Sequence, residues 1–256
     1  MKAANQNTSQ YTLQSSCAFF LPVMVFFLTS CGLVTSPEGR LLQEGETGVC
    51  RYVTGHRVSQ VPLPPPVLKR TPEVERELRK FTESRRKFMA RMLERTQKHR
   101  EQMVNILKRE GIPSEMLNLA MIESGFRADA RSPAGAVGMW QFVKSTARVY
   151  GLVVNLFEDQ RLDPILSTVA AARHLRDLYN AYQDWYLALA AYNGGTAAVD
   201  RAIMKAGTRD FWSIARGGFL REETRNFVAR FIAASLVHSF LVENRMAMSL
   251  DGPING

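Results

Sequence analysis

The chain is poor in cysteine: Cys17, Cys31 and Cys50 are the only three among 256 residues. That is too few for a disulfide framework, and the spacing is not that of a metal site. The four histidines, His56, His99, His174 and His238, also lack ligand spacing, so neither a metal nor another cofactor is expected. Long hydrophobic runs are missing too. The apolar stretch at 17–28, CAFFLPVMVFFL, has twelve residues, whereas a membrane-crossing helix needs about twenty. A polytopic membrane protein is therefore excluded. Strand-like alternation is scarce and there is no internal repeat, which argues against sandwiches, propellers and solenoids. Acidic residues are in deficit, 24 against 33 Lys and Arg, for a net charge of +9. Such a surface is drawn to polyanions: nucleic acid, anionic headgroups or an acidic polysaccharide. Hydrophobic residues at 46% and charged residues at 22% leave ample material for a globular core.

The apolar stretch at 17–28 comes after a polar leader with Lys2, and its length suits the hydrophobic region of a secretion signal. Directly after it stands Leu28-Thr29-Ser30-Cys31-Gly32. This pattern resembles a bacterial lipobox, in which small residues before the cysteine fit a peptidase and the thiol is acylated. Residues 1–30 are then a lipoprotein signal peptide, and Cys31 is the expected lipidation site. The resemblance implies a lipid-anchored protein facing the periplasm. The position after Cys31 is not aspartate, in keeping with the outer membrane, while the inner membrane stays open. Secretion also argues against a nucleic-acid partner.

Residues 31–70 carry Gly, Ser, Thr and Pro, with VPLPPP at 61–66. Proline favours extended polyproline II, so this segment reads as a semi-rigid tether. Thr71-Pro72-Glu73 has the form of a helix start, with an N-cap hydroxyl, a proline at the first position and an acid in the first turn. Val74, Leu78, Phe81, Phe88 and Met92 continue as an apolar stripe, with Gly111 as the stop. The spacing predicts a long amphipathic helix over 71–110 that packs on the domain C-terminal to it. From Lys69 to Glu110 it carries fourteen basic against seven acidic residues. From Ile112 on, helical periodicity is broken only by short loops. A mainly α domain is expected over 111–245, with a tail at 246–256. Asp163-Pro164 should open one helix, Asn193-Gly194-Gly195 should end another, and Trp140, Trp185 and Trp212 are expected in the core.

Glu123 is the residue with chemistry to offer. On a helix it shares a face with Leu119, Ala120 and Met116. An apolar face disfavours a charge and raises a carboxyl pKa, the condition a general acid needs at neutral pH. From periodicity alone, a solvated glutamate at a helix end would be the simpler reading. Four blocks alter the weighing: Glu123-Ser124-Gly125-Phe126; Ser132 and then GAVGMWQF at 135–142; AAYNGG at 190–195; and ETRNFV at 223–228. In this order and spacing they resemble the catalytic domain of bacterial lytic transglycosylases with a goose-lysozyme-like fold, most of all the group of membrane-bound lytic murein transglycosylase D and its relatives. The likeness runs from about Phe81 to Ala234.

The resemblance implies a substrate, a reaction and a set of roles. Such enzymes cut the β-1,4 bond between N-acetylmuramic acid and N-acetylglucosamine in peptidoglycan. The muramic C6 hydroxyl is the nucleophile and closes a 1,6-anhydro ring. Glu123 would act first as acid and then as base. Ser132, Gly138, Met139, Gln141, Tyr192, Asn193, Glu223 and Phe227 match positions that bind substrate or order the site. Asn and Gln suit N-acetyl and hydroxyl groups because each side chain offers donor and acceptor together. The partners implied are glycan strands and, through the anchor, a membrane.

Two positions depart from the family. Phe227 stands where a tyrosine is frequent, and Ala229 where proline is frequent. Many members of the family carry C-terminal peptidoglycan-binding repeats, whereas this sequence stops at Gly256, so glycan affinity is expected from the cleft, the basic surface or the tether. Two rivals remain at this level. A lysozyme-type hydrolase of the same bond would need a second carboxylate to activate water, for which Asp129, Asp159 and Asp163 are the candidates. A non-catalytic murein-binding lipoprotein would need no acid at all.

Overall fold

The computed structural model describes residues 34–35, 41–44, 50–52, 61–84, 91–92, 94–95 and 97–250, with side chains over 61–82, 91–92, 94–95 and 97–241. The expected signal peptide and Cys31 lie outside the described residues. Two units are formed, 1–57 and 58–256. The first carries three short strands, β1 (Val34–Thr35), β2 (Leu41–Glu44) and β3 (Cys50–Tyr52), in an antiparallel sheet of order β1-β2-β3. Part of the segment read as tether is thus paired strand.

The second unit is helical: α1 (Pro72–Arg79), α2 (Arg100–Arg109), α3 (Leu117–Ser124), α4 (Lys144–Val149), α5 (Pro164–Tyr182), α6 (Trp185–Gly194), α7 (Thr196–Ala206), α8 (Phe211–Arg216) and α9 (Glu222–Leu250). The mainly α fold class is as expected. Helix starts obey local chemistry. The Thr71 hydroxyl accepts from the Val74 amide at 3.3 Å, and Asp163 Oδ1 accepts from the Ile165 and Leu166 amides at 2.7 and 2.8 Å. Each cap satisfies donors that the first helical turn leaves unpaired.

The long helix expected over 71–110 is not one helix. α1 passes into a π turn at Lys80–Ser84, and a turn at residues 98–99 precedes α2. The two pieces have different partners, α1 packing on α9 and α2 on α5. One straight rod cannot serve both. The proline run is also no free spacer at its C-terminal end. Trp185 Nε1 donates to the Pro64 carbonyl at 2.7 Å, Tyr186 Oη donates to the Val67 carbonyl at 2.8 Å, and Leu63 N donates to the Gly111 carbonyl at 2.9 Å. Residues 61–68 lie along the helical unit as a strap.

α3 and α6 form the centre. Leu117 through Met121 are buried on α3, and Leu187 through Ala191 are buried on α6. A helix that is apolar on all sides must be enclosed, and α9 packs on both. Trp140, Trp185 and Trp212 are all core residues. No described helix is long and apolar enough to cross a membrane.

Candidate active site

The last turn of α3 delivers Glu123. The helix then stops at Gly125, whose left-handed φ of +62° lets its amide reach the Met121 carbonyl at 2.9 Å. The neighbouring Ser124 hydroxyl donates to the Met139 carbonyl at 2.8 Å, with the Ala120 carbonyl next nearest at 3.2 Å. It also accepts from the Arg127 amide at 3.2 Å. Ser124 therefore bolts the end of the acid's helix to the 135–142 loop. Sequence reasoning gave Ser124 no role, although its place beside the acid was a usable signal.

Glu123 keeps intermediate exposure, yet protein atoms crowd its carboxyl group. Burial, and then the negative charge of Glu223, push its pKa up to about 8, while the Arg230 guanidinium pulls the other way. At pH 7 about nine molecules in ten then hold the proton. A group that is desolvated but still touches solvent can hold a proton and also deliver it.

Tyr192, from the last turns of α6, stands beside it. Its hydroxyl donates to the Trp140 carbonyl at 2.7 Å. Burial and the nearby Glu123 charge hold its own pKa well above the usual phenol value, so it remains a neutral hydrogen-bonding group. Its ring lies 5.0 Å from that of His174 and 6.5 Å from that of Phe142. Trp140 is anchored in turn, with Nε1 donating to Thr168 Oγ1 at 2.9 Å.

The 132–142 loop is held largely by its own polar groups. Ser132 Oγ accepts from the Ala136 amide at 3.0 Å, and the Ser132 amide donates to the Ala136 carbonyl at 2.8 Å. Gln141, at φ +50°, spends its Nε2 on the Gly138 carbonyl at 2.7 Å. Gly138 has φ +84°, and a Cβ there would lie 1.8 Å from the Arg161 carbonyl oxygen. Arg161 clamps the loop from outside: its buried guanidinium donates to the Phe142 carbonyl at 3.0 Å and pairs with Asp159 at 2.8 Å. Nothing in its local sequence marks that role.

On the α6–α9 side, Thr224 Oγ1 donates to Asn193 Oδ1 at 2.9 Å, which leaves the Asn193 amide nitrogen for other partners. Glu223 is exposed on the first turn of α9. Met139 and Phe227 are buried, at 3% and 4% exposure. With Gly138 sealed against Arg161, three residues expected to meet substrate lie beneath the surface. The structure gathers Glu123, Tyr192 and Glu223 by charge, and ties Met139 and Gln141 to them through the loop. The rival carboxylates are engaged elsewhere: Asp159 with Arg161, Asp163 at the start of α5, and fully exposed Asp129 with Arg127 at 3.2 Å.

Residues 103–215 match the family model described as Transglycosylase SLT domain. Membrane-bound lytic murein transglycosylase D of Escherichia coli is 37% identical over 134 residues, covering 50% of this chain and 29% of that protein. Peptidoglycan transglycosylase gp16 of Escherichia phage T7 is 35% identical over 126 residues, covering 48% of this chain and 9% of that protein. Among solved structures, an inactive mutant of the lytic transglycosylase Slt from Pseudomonas aeruginosa matches with a TM-score of 0.48 at 24% identity, over 57% of this chain and 24% of that one. The chain thus spans under a third of the length of these curated relatives. The matched stretch includes α3, the 132–142 loop and α6, and it holds both Glu123 and Tyr192. Over residues 103–215 the chain is thus similar to the Transglycosylase SLT domain, in a stretch that makes up less than half of its length.

Proposed function

We propose that this protein is a peptidoglycan lytic transglycosylase with Glu123 as its single acid–base group. The observation that carries the reading is a carboxyl group raised to about 8 by burial and by Glu223, at the end of an apolar helix and beside a neutral tyrosine. The protonated acid gives its proton to the glycosidic oxygen as the C1–O bond breaks. The carboxylate that results takes the proton from the muramic C6 hydroxyl as that oxygen bonds to C1, closing the 1,6-anhydro ring. The proton count balances, and Glu123 returns to its starting form. One carboxylate suffices because the nucleophile is tethered to the electrophile, and effective molarities of about 10⁵–10⁸ M are available to well-oriented internal groups.

The name of the Escherichia coli relative, a membrane-bound murein enzyme, agrees with the lipobox at Cys31. The proposal extends to a lipid-anchored, periplasm-facing enzyme at the outer membrane that acts on glycan strands in wall turnover or remodelling. Ser132, Gln141, Asn193 and Glu223 border the sugar site, while Gly138, Met139 and Phe227 shape it from below.

A hydrolase reading needs a second carboxylate to activate water, and Glu223 is the one whose charge reaches Glu123. Mass spectrometry of digested peptidoglycan separates the two: anhydro-muramic ends support the transglycosylase, and reducing muramic ends the hydrolase. If the native chain and Glu123→Gln released muropeptides equally, both would fail and a binding role would remain.

A further inference from the structure

The charges that act on Glu123 come from α9, beyond the matched stretch, and one of them is held by α1 at the other end of the unit. Glu77 is buried, with its side chain 4% exposed, an unusual place for a carboxylate without cations. It has two. Lys80 Nζ lies 2.5 Å from Oε1, and Arg230 Nε lies 3.5 Å from Oε2. α9 carries Arg230 and packs on both α1 and α3. The guanidinium pairs with Glu77, and its charge also reaches Glu123 on α3.

A cation free to pair with Glu123 would hold the acid as a carboxylate and take away its proton. A cation already paired with a buried carboxylate does so far less. We propose that Glu77 is a positioning residue of the catalytic site, which holds Arg230 back from Glu123 so that the acid stays protonated before the reaction and meets a counter-charge only after it. The short helix at 72–79 is then part of the catalytic apparatus, with its own charge in the circuit. This rests on the assignment of Glu123 as the acid. Among the described residues, the charged and titratable groups in play are Glu223 and Arg230 from α9 and Tyr192 from α6, with Arg95 on the Gly125 carbonyl at 3.2 Å and Lys80 completing the pair at Glu77.

The test is a carboxyl-carbon NMR titration of Glu123 in the full chain, which reads its midpoint without any substrate. Glu77→Gln is expected to lower that midpoint by about one unit, a tenfold change in ionisation constant. Arg230→Gln should raise it, and in the Arg230→Gln background Glu77→Gln should do nothing further. Glu77→Asp, with a shorter reach, should fall between native and Gln, and serves if the Gln variant does not fold. The idea is overturned if the Glu77 variants leave the midpoint unmoved or raise it, or if the shift persists without Arg230. Digestion of peptidoglycan by the native chain is scored separately. A chain that cuts with an unmoved midpoint refutes the positioning role alone, and a midpoint that moves in a chain that cannot cut refutes the enzymatic reading alone.

Discussion

Replacing Glu123 with glutamine should make the protein more stable, and the gain should grow with pH. In the fold, the carboxyl group titrates at about 8 against a reference of 4.5. Below pH 4.5 both folded and unfolded chains hold the proton, and the group contributes nothing. Between the two values the unfolded chain ionises while the folded chain does not, so the unfolded state binds fewer protons and stability falls as pH rises. Integrating over that window, the loss at pH 7 is about 3 kcal/mol, tending to ~5 kcal/mol above pH 8. Glutamine keeps the size and cannot ionise. Its buried amide adds an offset that does not vary with pH, and other titrating groups cancel in the difference between the two proteins. Urea unfolding of both, from pH 4 to pH 9, measures that difference. A gap that widens by about 3 kcal/mol between pH 4 and pH 7 is expected. A gap that stays flat would mean that Glu123 is an ordinary solvated carboxylate, and the general-acid assignment would lose its physical basis.

Particular contacts lead to three further outcomes. Burial holds the His174 imidazole at about 4, below its usual 6.5. The unfolded chain therefore takes up the proton first as pH falls, and up to about 3 kcal/mol should be lost between pH 6.5 and pH 4. His174→Phe should remove that acid sensitivity in unfolding curves. Gly138→Ala drives a Cβ against the Arg161 carbonyl at a left-handed φ. It should cost about 2 kcal/mol or more, with muropeptide release falling as the loop shifts. Tyr192→Phe removes the donor to the Trp140 carbonyl and should cost about 1–2 kcal/mol in urea unfolding. An unchanged midpoint would show that the bond contributes nothing net.

Much of the framework was legible because it is written in local chemistry. Thr71-Pro72 and Asp163-Pro164 cap helices through their own side chains, and Gly125 closes α3 because it alone there tolerates a left-handed turn without strain. The apolar face behind Glu123 is a product of 3.6-residue periodicity, and Met116, Leu119 and Ala120 are all buried. What failed was reach. The stripe over 71–110 looked continuous, but periodicity cannot say which helix each turn will face, and the two pieces found different partners. The prolines at 61–66 imply an extended backbone, as found, but not that Trp185 and Tyr186 would bind it down. Gln141 looked free to bind a sugar, but its donor is taken by a carbonyl three residues away, a bond created by an unusual backbone angle that no spacing rule reports.

The amino-acid order by itself indicated the helical class and several helix starts, which depend on residues within a few positions of one another, and it pointed to Glu123 through four blocks that resemble a known family. Tertiary structure decided the state of that acid. Burial first, and then the charge of Glu223, one hundred positions along the chain, push the Glu123 pKa up, and Arg230, which Glu77 engages from 153 positions away, opposes them. Electrostatic energy depends on distance in space and on the water excluded between charges, and neither exists until α1, α3 and α9 have packed together.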